Sequence, residues 1–171
     1  MEYKNKNKAD ALSEVRDFWI KDRVAVIMRG ISGSGKSTFA NSVKRSAPDC
    51  AIHSTDSLRM KDGVYVFVPQ DTGYLHSKNL RNFIASLDEK TDVVVCDNTN
   101  TEPLEFGVYA KTAEAFGYKA VVVTIITNNT EGCFQRNLHQ VPKRTIVRQY
   151  NKLNANNERI PKCWNPIFIK E

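Results

Sequence analysis

The sequence predicts an α/β domain in which a parallel sheet of four to five strands lies between two layers of helices. Short runs rich in valine and isoleucine alternate with segments whose apolar residues recur at helical spacing. This alternation favours parallel strands joined by right-handed helical crossovers. The 171 residues, 41% of them hydrophobic and 26% charged, fit one soluble domain over residues 1–171.

The N-terminal part of the chain predicts a tail, a helix and a buried strand. Residues 1–8 are polar with alternating lysines, and we expect a flexible basic tail or an arm that contacts phosphate. Leu12, Val15 and Trp19 recur at helical spacing and predict a helix over residues 9–20 at the edge of the domain. Residues 24–28 are all apolar and predict the first buried strand.

The first strand leads directly into a P-loop pattern, a glycine, four residues, and then Gly35-Lys36-Ser37. A phosphate chain needs several backbone N–H groups aimed at it, and glycines let the backbone approach closely. A helix predicted from Lys36 to about Ser46 adds unpaired N–H groups at its N-terminus. The residues predicted to bind ATP are Gly30, Gly33, Ser34, Gly35, Lys36, Ser37 and Thr38, with Lys36 on the β- and γ-phosphates and Ser37 on Mg²⁺.

The remaining chain continues the alternation. Strands are predicted over residues 50–55, 92–96 and 119–126, an edge strand near 165–170, and helices over 74–87, 102–116, 130–138 and 144–153. Residues 58–68 predict either a small hairpin or an extended loop. Residues 136–150 form a basic stretch that is either a solvated helix face or a lid whose arginines contact the transferring phosphoryl group.

Composition argues against several classes of protein. The four cysteines form no CxxC pair, which disfavours a zinc site and a disulfide framework and indicates reduced thiols in the cytoplasm. No apolar run approaches membrane-spanning length, so no membrane partner is expected. The net charge of +6 gives weak support for a polyanionic partner such as nucleic acid.

Two aspartates are expected at neighbouring strand ends. In an open parallel sheet the ligand lies beyond the carboxyl ends of the strands, where Asp56 and Asp97 would approach a bound triphosphate. One carboxylate can accept the proton of an attacking hydroxyl, and the other can hold Mg²⁺. Each could instead cap the turn that follows it. No glutamate follows Asp97, which favours transfer to a hydroxyl over hydrolysis.

Arg59 follows Asp56 by three residues, so a helical turn would project both side chains to the same side. An acid that activates a hydroxyl, next to a cation that holds an anion, suits an acceptor that carries its own phosphate.

Six segments together resemble the small P-loop kinases of the polynucleotide kinase group, especially the stand-alone bacterial, phage and animal members. In chain order they read RGISGSGKST, HSTDSLR, VYVFVP, LHSKNLRNF, VVVCDNTNT and RNLHQVP. The resemblance covers about residues 24–148 and implies a kinase-type P-loop fold. It also implies an ATP- and Mg²⁺-dependent phosphotransferase whose acceptor is a hydroxyl of nucleic acid, DNA or RNA.

The resemblance also implies roles for single residues. Asp56 matches the general base, Arg59 the residue that neutralises the phosphate of the acceptor, and Arg136 a catalytic lid arginine. Further residues of the same motifs are candidate ligands: Asn98 and His76 for the substrate, Ser37 and Asp97 for Mg²⁺, and Lys36 for the transferred phosphate. His76 could instead be a helix-face histidine packed against the sheet.

The chain departs from the family pattern in two respects. Phage-type end-repair enzymes carry a second lid arginine where this chain reads Asn137-Leu138-His139-Gln140, and they carry a phosphatase DxDGT motif, which is absent here. The acceptor is expected to be a polynucleotide 5′-hydroxyl. The alternatives are a hydroxymethylated base within DNA, such as the 5-hydroxymethyluracil that phage-type DNA modification would use, a nucleoside or sugar, and a nucleotide-binding module without catalysis.

Overall fold

The computed structural model describes residues 5–47 and 49–171. The helices are α1 (Lys8–Trp19), α2 (Lys36–Ser46), α3 (Thr72–Asp88), α4 (Pro103–Ala115), α5 (Thr130–Gln135) and α6 (Lys143–Ala155). The strands are β1 (Val24–Arg29), β2 (Cys50–His53), β3 (Met60–Lys61), β4 (Val64–Tyr65), β5 (Val93–Asp97), β6 (Lys119–Ile126) and β7 (Ile167–Lys170). No helix among these described residues is long and apolar enough to cross a bilayer.

Five strands form one sheet in the order β2-β5-β1-β6-β7, and every neighbouring pair in it is parallel. This confirms the predicted α/β fold at the upper end of the expected strand number, and it confirms the edge strand near the end of the sequence. Residues 58–68 were predicted to form either a small hairpin or an extended loop. The chain forms the hairpin there, because β3 and β4 pair antiparallel to each other.

The central strand β1 is buried along its whole length and separates two apolar clusters. Val24, Val26 and Met28 pack on the side of α1 and α2, whereas Ala25 and Ile27 pack on the side of α3 and α4. A strand buried on both faces has no polar face, which explains why its sequence is uniformly apolar rather than alternating. The architecture is therefore a three-layer sandwich whose carboxyl edge carries the P-loop.

The predicted helix over residues 130–138 is too long, because α5 ends at Gln135. The Asn137 side chain donates to the carbonyl of Val141 over 2.8 Å and accepts from the backbone N–H of His139 over 3.3 Å. A side chain that bonds nearby backbone competes with helical hydrogen bonds and favours a loop. The segment between α5 and α6 is consequently non-helical, and its residues 136–139 border the cavity above the P-loop.

The tail expected over residues 1–8 is only partly described, and residues 1–4 lie outside the described residues. Lys6 and Lys8 lie in regular structure at the edge of the domain. The backbone N–H of Lys6 donates to the carbonyl of Phe168 over 2.8 Å, and the N–H of Lys170 donates back to Lys6 over 3.1 Å. Lys8 begins α1, whose first turn is capped by the side chain of Asn7. These contacts hold the segment against the edge strand β7.

Candidate active site

A cavity of about 580 Å³ opens above the P-loop at the carboxyl edge of the sheet. Its floor is the loop between β1 and α2, and one wall is formed by the ends of β2 and β5. The opposite wall is the segment between α5 and α6. Of the predicted site residues, those that line it are Gly33, Gly35, Lys36, Ser37, Thr38, Asp56, Asp97, Asn98 and Arg136.

The P-loop has the backbone geometry that its glycines allow. Gly33 and Gly35 have φ angles of 77° and 88°, in the left-handed region that other residues rarely adopt. A Cβ on Gly33 would lie 2.0 Å from the carbonyl oxygen of Cys133, so α5 can approach the loop only where a side chain is missing. Gly30 and Ser34 do not line the cavity. Ser34 is fully buried, and the backbone N–H of Gly30 donates to the carbonyl of Thr99, so both residues stabilise the loop from inside the protein.

The side chain of Lys36 is buried and donates to the carbonyl of Ile31 over 2.8 Å. Burial lowers the pKa of Lys36, while the nearby carboxylates of Asp97 and Asp56 raise it. The ammonium group is therefore held in the loop, close enough to both aspartates for their charges to act on it. This is the position from which a lysine can reach phosphate in a P-loop.

Asp97 ends β5 and is only 8% exposed. Within the part of the chain that the structure describes, its Oδ1 atom is buried without a hydrogen-bond partner. Burial raises the pKa of Asp97, while Lys36 and the hydroxyl of Ser37 lower it. An unpaired carboxylate oxygen beside a serine hydroxyl fits an oxygen-coordinated cation such as Mg²⁺.

The described residues contain no group of three or more histidine, cysteine or acidic side chains placed to hold a metal ion. A cation at Ser37 and Asp97 would therefore need further oxygen ligands from water or from phosphate. Mg²⁺ in phosphate-binding sites usually has this arrangement, with one or two protein ligands and the rest from substrate and solvent.

Asp56 lies in the turn after β2, and its carboxylate faces the cavity. Among residues 5–47 and 49–171 it caps no backbone N–H of the following turn, so capping is not how this side chain is used. Its Oδ1 atom accepts a hydrogen bond of 2.9 Å from the hydroxyl of Tyr65, and its Oδ2 atom lies 3.8 Å from Nε2 of His139. The rings of Tyr65 and His139 stack, with centroids 4.4 Å apart.

Arg59 lies on the same side as Asp56, as the three-residue spacing predicted, with Nε 3.9 Å from Oδ1 of Asp56. The side chain lies outside the cavity and is only 4% exposed. Its Nη2 atom donates to the hydroxyl of Thr72 over 3.1 Å, and its guanidinium lies 4.6 Å from the ring centroid of Phe67. In the described chain Nη1 is buried and has no hydrogen-bond partner.

Comparison with known proteins shows the family to which the chain belongs. A family model described as "AAA domain" matches residues 26–150. This chain belongs to that family. Human NEDD4-binding protein 2 is 30% identical over 128 residues, which are 73% of this chain and 7% of that protein. The AAA domain described here therefore spans a small part of its much longer relative.

Two solved structures share the fold of this AAA domain. A chain of the Pnkp1/Rnl/Hen1 RNA repair complex matches with a TM-score of 0.67 and 21% identity, over 82% of this chain and 47% of the other. A gluconokinase from Sinorhizobium meliloti 1021 matches with a TM-score of 0.55 and 14% identity, over 86% and 82%. The fold is thus the kinase-type P-loop sandwich, as predicted from the sequence.

Two of the predicted substrate ligands of the AAA domain have contacts within the protein. Oδ1 of Asn98 accepts from the backbone N–H of Thr55 over 3.0 Å, which ties the end of β5 to the turn that carries Asp56. His76 lies on α3 outside the cavity, with Nδ1 3.4 Å from the hydroxyl of Thr55. Desolvation lowers the pKa of His76, which favours a neutral ring. The structure therefore brings Asn98, but not His76, to the cavity.

Arg136 reaches the mouth of the cavity of the AAA domain. Its Nη2 atom pairs with Oε2 of Glu171 over 2.9 Å, and its Nε atom donates to the carbonyl of Gly33 over 3.4 Å. Glu171 also lies 3.9 Å from the ammonium of Lys8. Sequence reasoning missed Glu171 and included Lys8 only within a segment that could contact phosphate, because no motif links residues that only the sheet edge brings to the P-loop.

Proposed function

We propose that this domain transfers the γ-phosphate of ATP to a hydroxyl of nucleic acid, and that the acceptor is the 5′-hydroxyl of a polynucleotide. The observation that carries the proposal is the pairing of a cavity-facing acid, Asp56, with a buried arginine, Arg59, whose Nη1 atom has no partner in the described chain. Burying a cationic nitrogen without a hydrogen-bond partner costs free energy of desolvation, and an anion bound to that nitrogen offsets the cost. The phosphodiester next to the reacting nucleotide supplies such an anion.

In the proposed reaction the acceptor oxygen attacks the γ-phosphorus, and the bond between that phosphorus and the β,γ-bridging oxygen breaks. Asp56 accepts the proton of the attacking hydroxyl, and ADP leaves with the electron pair of the broken bond. Tyr65 holds one oxygen of Asp56, so that the other oxygen is free to accept the proton.

The P-loop residues would hold the triphosphate, with Lys36 on its β- and γ-oxygens. Ser37 and Asp97 would hold Mg²⁺, which would neutralise charge on the phosphates. The unpaired Oδ1 of Asp97 and the left-handed glycines support this assignment. They fit a phosphate chain with a hard cation next to it.

We further infer that residues 136–150 act as a lid within a single kinase domain, residues 1–171, and that Arg136 contacts the transferring phosphoryl group. The position of Arg136 beside Gly33 at the cavity mouth supports this role. Asn98 would act by holding the turn of Asp56 rather than by binding substrate directly. His76 would act in the same indirect way, through Thr55.

The nucleic-acid acceptor has three lines of support. They are the buried Arg59, the net charge of +6, and the likeness to a chain of an RNA repair complex. The likeness to a gluconokinase favours a second candidate, a small-molecule kinase acting on a sugar or a nucleoside. Arg59 distinguishes a nucleic-acid acceptor from a neutral sugar or a nucleoside, because neither of these offers an anion to its buried nitrogen. A sugar acid such as gluconate carries a carboxylate, so the comparison with gluconate is made by experiment.

The test is transfer of label from γ-labelled ATP and Mg²⁺ to a panel of acceptors. The panel contains 5′-hydroxyl DNA, 5′-hydroxyl RNA, duplex DNA with an internal hydroxymethylated base, gluconate and free nucleosides, with Lys36→Ala as the inactive control. We expect label on the 5′ ends of the polynucleotides, located by nuclease digestion. Label on an internal base would support base modification instead, and label on gluconate or nucleosides alone would overturn the nucleic-acid proposal.

A further inference from the structure

We propose that the exposed ring of Phe67 is a stacking subsite for a nucleobase of the acceptor, next to the phosphate held by Arg59. The inference rests on the proposed function and deepens it. The acceptor it specifies is a polynucleotide end whose base is free of its own stack, as in a single strand or a frayed duplex.

The first observation is the exposure of this ring. Phe67 is 60% exposed although it is a large apolar side chain close to the candidate site. One face of the ring covers the guanidinium of Arg59 at 4.6 Å. A ring fixed over a guanidinium keeps its orientation, and its exposed surface can accept a flat partner.

The second observation is the set of contacts that holds the guanidinium group of Arg59. Its Nε atom faces Asp56 at 3.9 Å and its Nη2 atom bonds to Thr72, so the guanidinium plane is held from two sides. Nη1 is then the nitrogen without a partner among residues 5–47 and 49–171, in a side chain only 4% exposed. An anion bound there would lie directly beside the ring of Phe67.

The third observation is the order of groups along the hairpin. Tyr65, the last residue of β4, contacts Asp56, and Phe67 two residues later covers Arg59. The backbone N–H of Val66 donates to the carbonyl of Arg59 over 3.0 Å and fixes this register. Tyr65 and Phe67 therefore contact an acid and a cation that are themselves neighbours, and the acid, the cation and the aromatic ring follow one another in space. Along a 5′-hydroxyl strand the hydroxyl comes first, the phosphodiester follows it, and the base of the second nucleotide lies beyond that phosphodiester, which is the matching order.

This arrangement sets the expected specificity. Every base has a π-face, so stacking tolerates sequence, but in a blunt duplex pairing holds the terminal base on its neighbour, and the second base has both faces covered. The subsite should therefore favour single-stranded over blunt-ended acceptors. Because it contacts only the acceptor, it should leave the affinity for ATP unchanged.

The experiment compares Phe67→Leu with the parent and with a matched control, Phe116→Leu. Phe116 is 42% exposed and follows α4, whose end lies at the opposite edge of the sheet from the P-loop. Each protein is tested on three acceptors. The first is a single-stranded 5′-hydroxyl oligothymidylate, and the other two are the same oligonucleotide with an abasic site at the first or at the second nucleotide. The melting temperature of each variant checks folding.

We expect Phe67→Leu to raise the KM for the intact oligonucleotide about 5- to 30-fold, with the KM for ATP unchanged. One of the abasic oligonucleotides should be an equally poor acceptor for the parent and for Phe67→Leu, because the base and the ring act as one pair. Phe116→Leu should behave as the parent does. Equal KM values for the parent and Phe67→Leu, or independent effects of ring and base, would overturn the subsite.

A binding arm separates this inference from the proposed function. Phe67→Trp should show fluorescence quenching by oligothymidylate, beyond that of the parent with Trp19 and Trp164, and no quenching by an abasic sugar-phosphate chain. Quenching without transfer to any acceptor would keep the subsite and refute the kinase reaction. Transfer by the parent without quenching and without a Phe67→Leu effect would refute the subsite alone.

Discussion

The hydroxyl of Tyr65 donates a 2.9 Å hydrogen bond to Oδ1 of Asp56, and this bond joins the β3–β4 hairpin to the candidate general base. Because one carboxylate oxygen is held, the other keeps a fixed direction in the cavity. Asp56 also neighbours Arg59 and His139, so groups from the hairpin region and from the lid segment converge on a single carboxylate.

Tyr65→Phe keeps the ring that stacks on His139 and removes only the hydroxyl. We expect kcat to fall about 3- to 30-fold, because loss of a hydrogen bond to a half-exposed carboxylate costs on the order of 1–2 kcal/mol. The KM for ATP should not change. Steady-state kinetics test this, with Tyr74→Phe as the control for an exposed tyrosine. A rise in kcat would show that the hydroxyl mainly weakens the base rather than positioning it.

Asp56→Asn tests the base assignment itself. An amide cannot accept the proton of the attacking hydroxyl, so the rate of transfer should fall by on the order of 10² to 10⁴ while ATP still binds. Asparagine is as good a cap as aspartate, so a residue that only capped its turn would tolerate the change. Single-turnover kinetics give the rate, and a variant within a few-fold of the parent would exclude Asp56 as the base.

Gly33→Ala tests the close contact between the P-loop and α5. A Cβ there would lie 2.0 Å from the carbonyl of Cys133, in addition to the left-handed strain of a φ of 77°. Gly117→Ala is the matched control, with a φ of 78° and no atom within 4 Å of its Cβ. We expect Gly117→Ala to lose only about 1–2 kcal/mol of stability.

Gly33→Ala should lose more stability than this control and should also lose the rise in Tm that ATP with Mg²⁺ gives the parent. Thermal melts with and without nucleotide measure both effects. Equal losses in the two alanine variants would mean that α5 does not pack on the loop as the structure describes.

Glu171→Gln removes an acidic group from the mouth of a cavity proposed to bind a triphosphate. Arg136 and Lys8 would then be free to face phosphate instead of Glu171. Because these groups are partly exposed, the gain should be small, about a two- to five-fold lower Kd for ATP, and it should shrink as salt is raised. Calorimetric titration at two ionic strengths tests this. Weaker binding of ATP by Glu171→Gln would show that Glu171 instead positions Arg136 productively.

The four cysteines provide a pH-dependent test of the fold. Burial raises the pKa of Cys50 to about 11 and that of Cys96 to about 12, whereas Cys163 is exposed. Only the thiolate reacts with iodoacetamide, so at pH 8 the folded protein should be modified at Cys163 first. Modification of Cys50 should keep increasing as the pH rises toward 11. Peptide mass spectrometry measures both rates, and equal rates for the two at pH 8 would contradict the burial of Cys50.

Several predictions from the sequence depended on chemistry that is local to a segment. The P-loop, the helix after it and the strand ends that carry Asp56 and Asp97 follow from residue type and short-range spacing. The helix over residues 102–116 was predicted in the same way, because Pro103 suits a first helical turn and Gly117 a C-terminal stop, and α4 indeed begins at Pro103. The end of α5 could not be predicted from the sequence, because Asn137 bonds to Val141 only in a loop that the rest of the chain holds in place.

The sequence alone therefore determined the parallel α/β fold, the phosphate-binding loop and the acid and arginine beside it, because each depends on residues close together in the chain. Only the tertiary structure decided that Lys8 and Glu171 meet at the P-loop, that His139 stacks on Tyr65, and that Arg59 is buried under Phe67. These contacts join residues from separate loops and sheet edges. Their partners are set by how the layers pack, which no local pattern of residues encodes.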